Sequence, residues 1–109
     1  LAFILLQYEA DHKGREWIKE IMEKLTIVVN SKSGLHARPA AMFVGTVKNF
    51  ASKVIIRKED TYANGKSIMG VLSIAASEGD TLEIVAEGHD EVEAIGAIRD
   101  LFETQLIHE

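Results

Sequence analysis

Leu25-Thr26-Ile27-Val28-Val29-Asn30-Ser31-Lys32-Ser33-Gly34-Leu35-His36-Ala37-Arg38-Pro39-Ala40-Ala41-Met42-Phe43-Val44 changes its hydrophobic period partway along. In the first part Leu25, Ile27 and Val29 alternate with Thr26, Val28 and Asn30, so one face of an extended strand is strongly apolar. Ser31-Lys32-Ser33-Gly34 interrupts the alternation. From Ala37 onward Ala40, Phe43, Val44, Val47 and Phe50 recur at three and four residues, which lines one side of a helix. Pro39, the single proline, falls in the first turn of that helix, where its missing N–H costs nothing and its fixed φ suits the backbone.

The rest of the chain continues in the same alternation of periods. Val54-Ile55-Ile56 is β-branched and predicts a second strand, and polar Lys58-Glu59-Asp60 turns it into a short third strand, Thr61-Tyr62-Ala63. Asn64-Gly65-Lys66-Ser67 is a loop ending on a good N-cap residue. Ile68 to Ala76 then predicts a short helix stopped by Gly79. Gly65 makes the approach to Ser67 more flexible in this reading. Leu82, Ile84 and Ala86 mark one face of a fourth strand from Thr81 to Glu87. Asp90-Glu91-Val92-Glu93 resembles a capping box with Asp as the cap, opening an amphipathic helix through Val92, Ile95, Ile98, Phe102 and Leu106. The order β-α-β-β-α-β-α places three helices over one face of a four-stranded, mainly antiparallel sheet in an α+β fold.

A chain of 109 residues with 47% hydrophobic and 27% charged residues accommodates one globular domain of this kind. The absence of cysteine excludes disulfides, thiolate metal sites and thiol catalysis, and is compatible with a reducing cytoplasm. A net charge of −5 opposes direct binding to nucleic acid. The longest apolar run, Leu1 to Leu6, is far short of the roughly 20 residues that span a bilayer, so no membrane insertion is expected. Its flanks do not read as a secretory signal either.

Two short stretches carry chemistry. In Gly34-Leu35-His36-Ala37-Arg38-Pro39-Ala40-Ala41 an imidazole and a guanidinium stand where loop becomes helix. Backbone N–H groups and the helix dipole hold an anion at such a point, and Arg38 adds a planar donor set suited to phosphate oxygens. A neutral imidazole is a nucleophile, so the arrangement suits a histidine that accepts a phosphoryl group. The competing possibility is a helix-capping His36 with a solvated Arg38. No second His, Asp or Glu lies at metal-ligand spacing from His36 on that helix, and no Gly-x-Ser-x-Gly elbow exists.

The second stretch is Lys66-Ser67-Ile68-Met69-Gly70-Val71-Leu72. Ser67 is an ordinary N-cap by position, but Ile68, Met69, Val71, Leu72 and Ile74 occupy nearly all sides of a helix too short to be enclosed. Some must therefore be exposed, as on a partner surface, where flexible Met suits several partners. A phosphate on Ser67 would meet the favourable end of the helix dipole.

In combination these two motifs closely resemble HPr, the histidine-containing phosphocarrier family of the bacterial phosphotransferase system. The resemblance runs from about Met22 to the C-terminus and implies an open-faced β-sandwich and no cofactor or metal. It implies that His36 takes phosphate from enzyme I, charged by phosphoenolpyruvate, and passes it to IIA domains of sugar permeases in the cytoplasm. Arg38 would help hold the phosphohistidine, with Ser33 and Ala37 beside it. Ser67 matches the serine phosphorylated by a dedicated HPr kinase/phosphorylase, the product acting as corepressor with a catabolite-control transcription regulator. Met42, Ile68, Met69 and Leu72 match the docking surface that partners share. A purely regulatory paralogue working through phospho-Ser67 is the alternative, and the presence of His36 argues against it; a nitrogen-branch carrier usually departs from the Lys-Ser-Ile-Met-Gly pattern.

Residues 22–109 thus read as the carrier domain and residues 1–21 as an extension without a counterpart. Trp17, Ile18, Ile21, Met22 and Leu25 fall at helical spacing, and the segment is too apolar for a disordered tail. It is expected to pack on the open face of the sheet, add to a sheet edge, or pair with another copy of the chain.

Overall fold

The computed structural model describes residues 22–106. The expectations for residues 1–21 lie outside the described residues. Four strands, β1 (Glu23–Val28), β2 (Lys53–Lys58), β3 (Thr61–Asn64) and β4 (Thr81–Glu87), form one sheet in the order β1-β4-β2-β3. Every pairing is antiparallel. Three helices accompany them: α1 (Ala37–Val47), α2 (Ile68–Ser73) and α3 (Glu91–Asp100), the last continued by a π-helical turn, Leu101–Gln105.

The register fixes which side chains form the core. Leu25 pairs with Ile84 and Ile84 with Ile56, so the apolar positions of three neighbouring strands stand in a row on one face. That face is closed by Ala40, Phe43, Val44 and Val47 of α1, Val71 of α2, and Ala94, Ile95 and Ile98 of α3. Burying a Leu, Ile, Val or Phe side chain fully is worth roughly 1.5–3 kcal/mol, so this one layer supplies the driving force for the α+β arrangement.

Three local expectations are corrected by tertiary contacts. The helix expected from Ile68 to Ala76 ends at Ser73, and Ala75 takes a positive φ of 55° well before Gly79. Lys58 Nζ donates to the Ala75 carbonyl at 3.1 Å and to Asp80 at 3.3 Å, tying the strained residue to β2. The stripe expected through Val92 instead runs through Ala94, Ile95, Ile98 and Leu101, leaving Val92 exposed. The Leu106 N–H bonds to the Leu101 carbonyl, and this wider turn lets both leucines face the core although they are five residues apart.

The capping box at Asp90 does not form. Asp90 precedes α3, but its carboxylate makes no capping bond and turns to the loop before β2, accepting from the N–H groups of Ala51 (2.8 Å) and Ser52 (3.0 Å) and from the Ser52 hydroxyl. Glu91 reaches back to the Gly88 N–H at 3.0 Å instead. The Ser52 hydroxyl first, and the Ala51 N–H next, hold the Asp90 carboxyl down at about 2 from its usual 3.8. A depressed carboxylate stabilises the fold above its unfolded value and loses that contribution as pH falls toward its folded value. Asp90→Ala is therefore expected to lower the melting temperature at neutral pH, with the gap to wild type closing as pH drops from about 4 to about 2. A gap that stays constant across that range in thermal melts would show that the clamp contributes nothing through its charge.

Candidate phosphoryl-acceptor site

His36 is the N-cap residue of α1, extended at φ −85° and ψ −166°, and its carbonyl accepts the first helical bond from the Ala40 N–H at 2.9 Å. Its side chain makes no capping hydrogen bond. The imidazole is exposed and leaves the first turn unshielded, so the capping role considered from sequence is not what holds this histidine. Ala37 and Arg38 follow it on the exposed side of the first turn, and Pro39 and Ala40 turn inward to the core. Ser33 is exposed in the preceding turn.

A network not apparent from the sequence holds this loop. The Ser31 hydroxyl, on a residue only 5% exposed, donates to the Gly34 carbonyl at 3.0 Å, and the Gly34 N–H returns a bond to the Ser31 carbonyl at 3.1 Å. Gly34 has a φ of 69°, and a Cβ there would come within 2.4 Å of the Ala76 carbonyl oxygen. That oxygen accepts from the Leu35 N–H at 2.9 Å. The Asp80 carboxylate fixes the neighbouring Ser77 N–H at 2.8 Å, and this bond, together with Lys58, holds the Asp80 carboxyl below its usual value. Lys58, Ala76 and Asp80 thus set the position of Leu35 and His36. They lie 22 to 44 residues from His36 in sequence, so no local pattern could have revealed them.

Another exposed histidine provides an electrostatic comparison. His89 also comes just before a helix, but Asp90 follows it and the first turn of α3 carries Glu91 and Glu93. The first turn of α1 has no acidic residue, and Arg38 lies within it. The start of α1 thus offers the positive end of a helix dipole with no acidic side chain in its first turn, whereas the start of α3 carries acidic residues that disfavour an anion.

Ser67 is the N-cap of α2, as expected, and its hydroxyl accepts from the Gly70 N–H at 3.0 Å. The loop before it is pinned, contrary to the flexibility expected of Gly65. The Gly65 N–H bonds to the Val54 carbonyl at 2.8 Å, and a Cβ there would come within 2.8 Å of the Val54 side chain. Close approach to β2 is the reason for glycine here. Lys66 adds bonds from its N–H to the Asn64 side chain and from Nζ to the Phe50 carbonyl, both at 2.9 Å.

Met69 is 76% exposed and Ile68 43%, while Met42 and Leu72 are half-buried against the core. The two motifs lie on different helices, α1 and α2, which pack against one another. Val28 at the end of β1 is a further exposed apolar residue that strand alternation assigned to the solvent side without marking it. Among the described residues no three His, Asp or Glu side chains cluster as a metal site, and no helix is long and apolar enough to cross a membrane.

Comparison with known proteins bears on the family and the fold. The family model described as "PTS HPr component phosphorylation site" matches residues 23–104. The phosphocarrier protein HPr of Treponema pallidum is 44% identical over 84 residues, covering 77% of this chain and 96% of that protein. The HPr-like protein Crh of Bacillus subtilis is 43% identical over 74 residues, covering 68% and 87% respectively. A crystal structure of HPr from Thermoanaerobacter tengcongensis superposes with a TM-score of 0.75 at 45% identity, covering 80% of this chain and 98% of that one. The match extends from β1 almost to the end of the last helical turn, and the chain belongs to the HPr family, the phosphocarriers of the phosphotransferase system.

Proposed function

We propose that His36 accepts a phosphoryl group from phosphorylated enzyme I and passes it to IIA domains of sugar permeases in the cytoplasm. The observation that carries this reading is the exposed imidazole at the start of α1, with Arg38 in the same turn and no acidic residue there. An imidazole nitrogen attacks phosphorus as the donor's bond to phosphorus breaks, and the reverse exchange hands the group on. Arg38 and the first-turn backbone take the charge of the phosphoryl oxygens, with Ser33 and Ala37 at the rim. Residues 22–109 form the carrier domain. Incubation with enzyme I and phosphoenolpyruvate tests the reading: an acid-labile phosphoryl group on the intact protein supports it, and no labelling overturns it. The second reading, a purely regulatory module acting through Ser67, is favoured by the likeness to Crh and predicts no such labelling.

In the same proposal Ser67 is the regulatory site, modified by HPr kinase/phosphorylase and read by a catabolite-control regulator, and Met42, Ile68, Met69 and Leu72 form the shared docking surface. A phosphate on Ser67 adds about two negative charges beside the two exposed apolar side chains of α2. Docking to enzyme I weakens, and basic groups of a regulator gain an acceptor. Ser67→Asp is expected to slow phosphoryl transfer to His36 several-fold while leaving circular dichroism unaltered, since Asp is also a good N-cap. Equal transfer rates for phosphorylated and unmodified protein would refute the switch.

A further inference from the structure

The helices occupy one face of the sheet, yet the opposite face does not have the exposure of a solvated one. Ile55 and Val85 are paired directly across the two central strands, out of phase with Ile56 and Ile84, which meet the helices. Each is only 1% exposed, and Met22 beside them is 7% exposed. Tyr62 packs at one side, and Glu83, between Lys24 at 2.6 Å and Arg57 at 3.1 Å, has a side chain just 17% exposed. Side chains on a bare sheet face stand perpendicular to it with their tips in water. Two central aliphatic residues at nearly zero exposure need a cover, and among the described residues Met22 and Tyr62 are their only apolar partners.

We propose that residues 1–21 of the same chain form that cover. Ile21 is bonded to Met22, whose side chain already lies on this face, so the segment starts from the edge of the patch. At the helical 100° per residue, Trp17, Ile18 and Ile21 fall within an arc of about 100°, while Arg15, Glu16, Lys19 and Glu20 fall outside it. Val85 lies one strand and Ile55 two strands from β1, a reach of about 10 Å at the usual strand spacing. Two helical turns leading back from Met22 span about 11 Å, so this stripe can cross both residues. Further upstream, the run Leu1 to Leu6 supplies apolar side chains for the remaining width toward Tyr62. Tethering gives the segment an effective concentration in the millimolar range, on the order set by short linkers, which places it ahead of a second copy of the chain. The cover lies across the sheet from α1 and α2 and leaves His36 and Ser67 accessible.

Trp17 is the single tryptophan, so its fluorescence reports on this segment alone. In dilute full-length protein, shown monomeric by sedimentation, its emission is expected to be blue-shifted and shielded from acrylamide. Val85→Lys on the sheet face and Ile18→Glu in the segment should each move the emission to the red and raise quenching several-fold. Ile18 lies outside the carrier domain, so that variant remains informative if Val85→Lys fails to fold. A solvent-exposed Trp17 in wild type overturns the proposal. So does shielding that disappears as a dimer dissociates on dilution, which assigns the face to a second copy. Shielding in a monomer that Ile18→Glu leaves unaltered overturns it as well, because the segment then packs elsewhere.

Discussion

His36→Ala is expected to abolish acid-labile phosphorylation by enzyme I and phosphoenolpyruvate altogether while leaving a folded protein. In the proposed function the loss is complete because the His36 imidazole is the group that forms the bond to phosphorus, and a neighbouring guanidinium is no substitute nucleophile. His89 is a poorer acceptor, since acidic Asp90, Glu91 and Glu93 follow it in sequence and disfavour added negative charge there. Folding is spared because the His36 side chain is exposed and makes no capping bond, while its carbonyl still accepts from Ala40. Intact mass before and after acid treatment, together with a thermal melt, checks both halves. Acid-labile label persisting on the variant would move the acceptor elsewhere.

Phe43→Ala is expected to cost about 3–5 kcal/mol, the usual range for deleting a buried aromatic ring. Phe43 has no exposed surface, and its ring meets that of Phe102 edge-on, with centroids 6.1 Å apart and planes at 62°. Truncation leaves a cavity between α1 and the last helical turn and removes an aromatic pair worth about 0.5–1.5 kcal/mol beyond its area. Domains of this size have roughly 5–15 kcal/mol in total, so a sizeable share of the stability disappears. Urea denaturation should show a large fall in midpoint with little change in slope. Half-buried Met42, the preceding residue, should cost much less on truncation, and equal costs at the two positions would show that the ring is not central to the core.

The elements that the sequence determined are those in which local pattern and burial agree. Alternation in Leu25 to Val29 and in Leu82 to Ala86, and the three-and-four spacing from Ala40 to Val47, each select one face, and every one of those faces meets the same core. Ser67 was legible as a cap because its partner, Gly70, lies three residues away. The position of His36 and Arg38 at a helix start followed from the change of period on either side of Gly34. Tertiary structure decided the rest wherever a group found a better partner far along the chain. Asp90 had a capping bond available locally, yet three donors from Ala51 and Ser52 satisfied its carboxylate instead. Gly65 had the freedom of any glycine, but close packing on Val54 fixed it. The helix after Ser67 stopped at Ser73 because Lys58 and Asp80 hold the turn that follows. Sequence period encodes which face is buried, since burial acts on each residue in turn; polar groups choose partners by distance in space, which only the assembled fold defines.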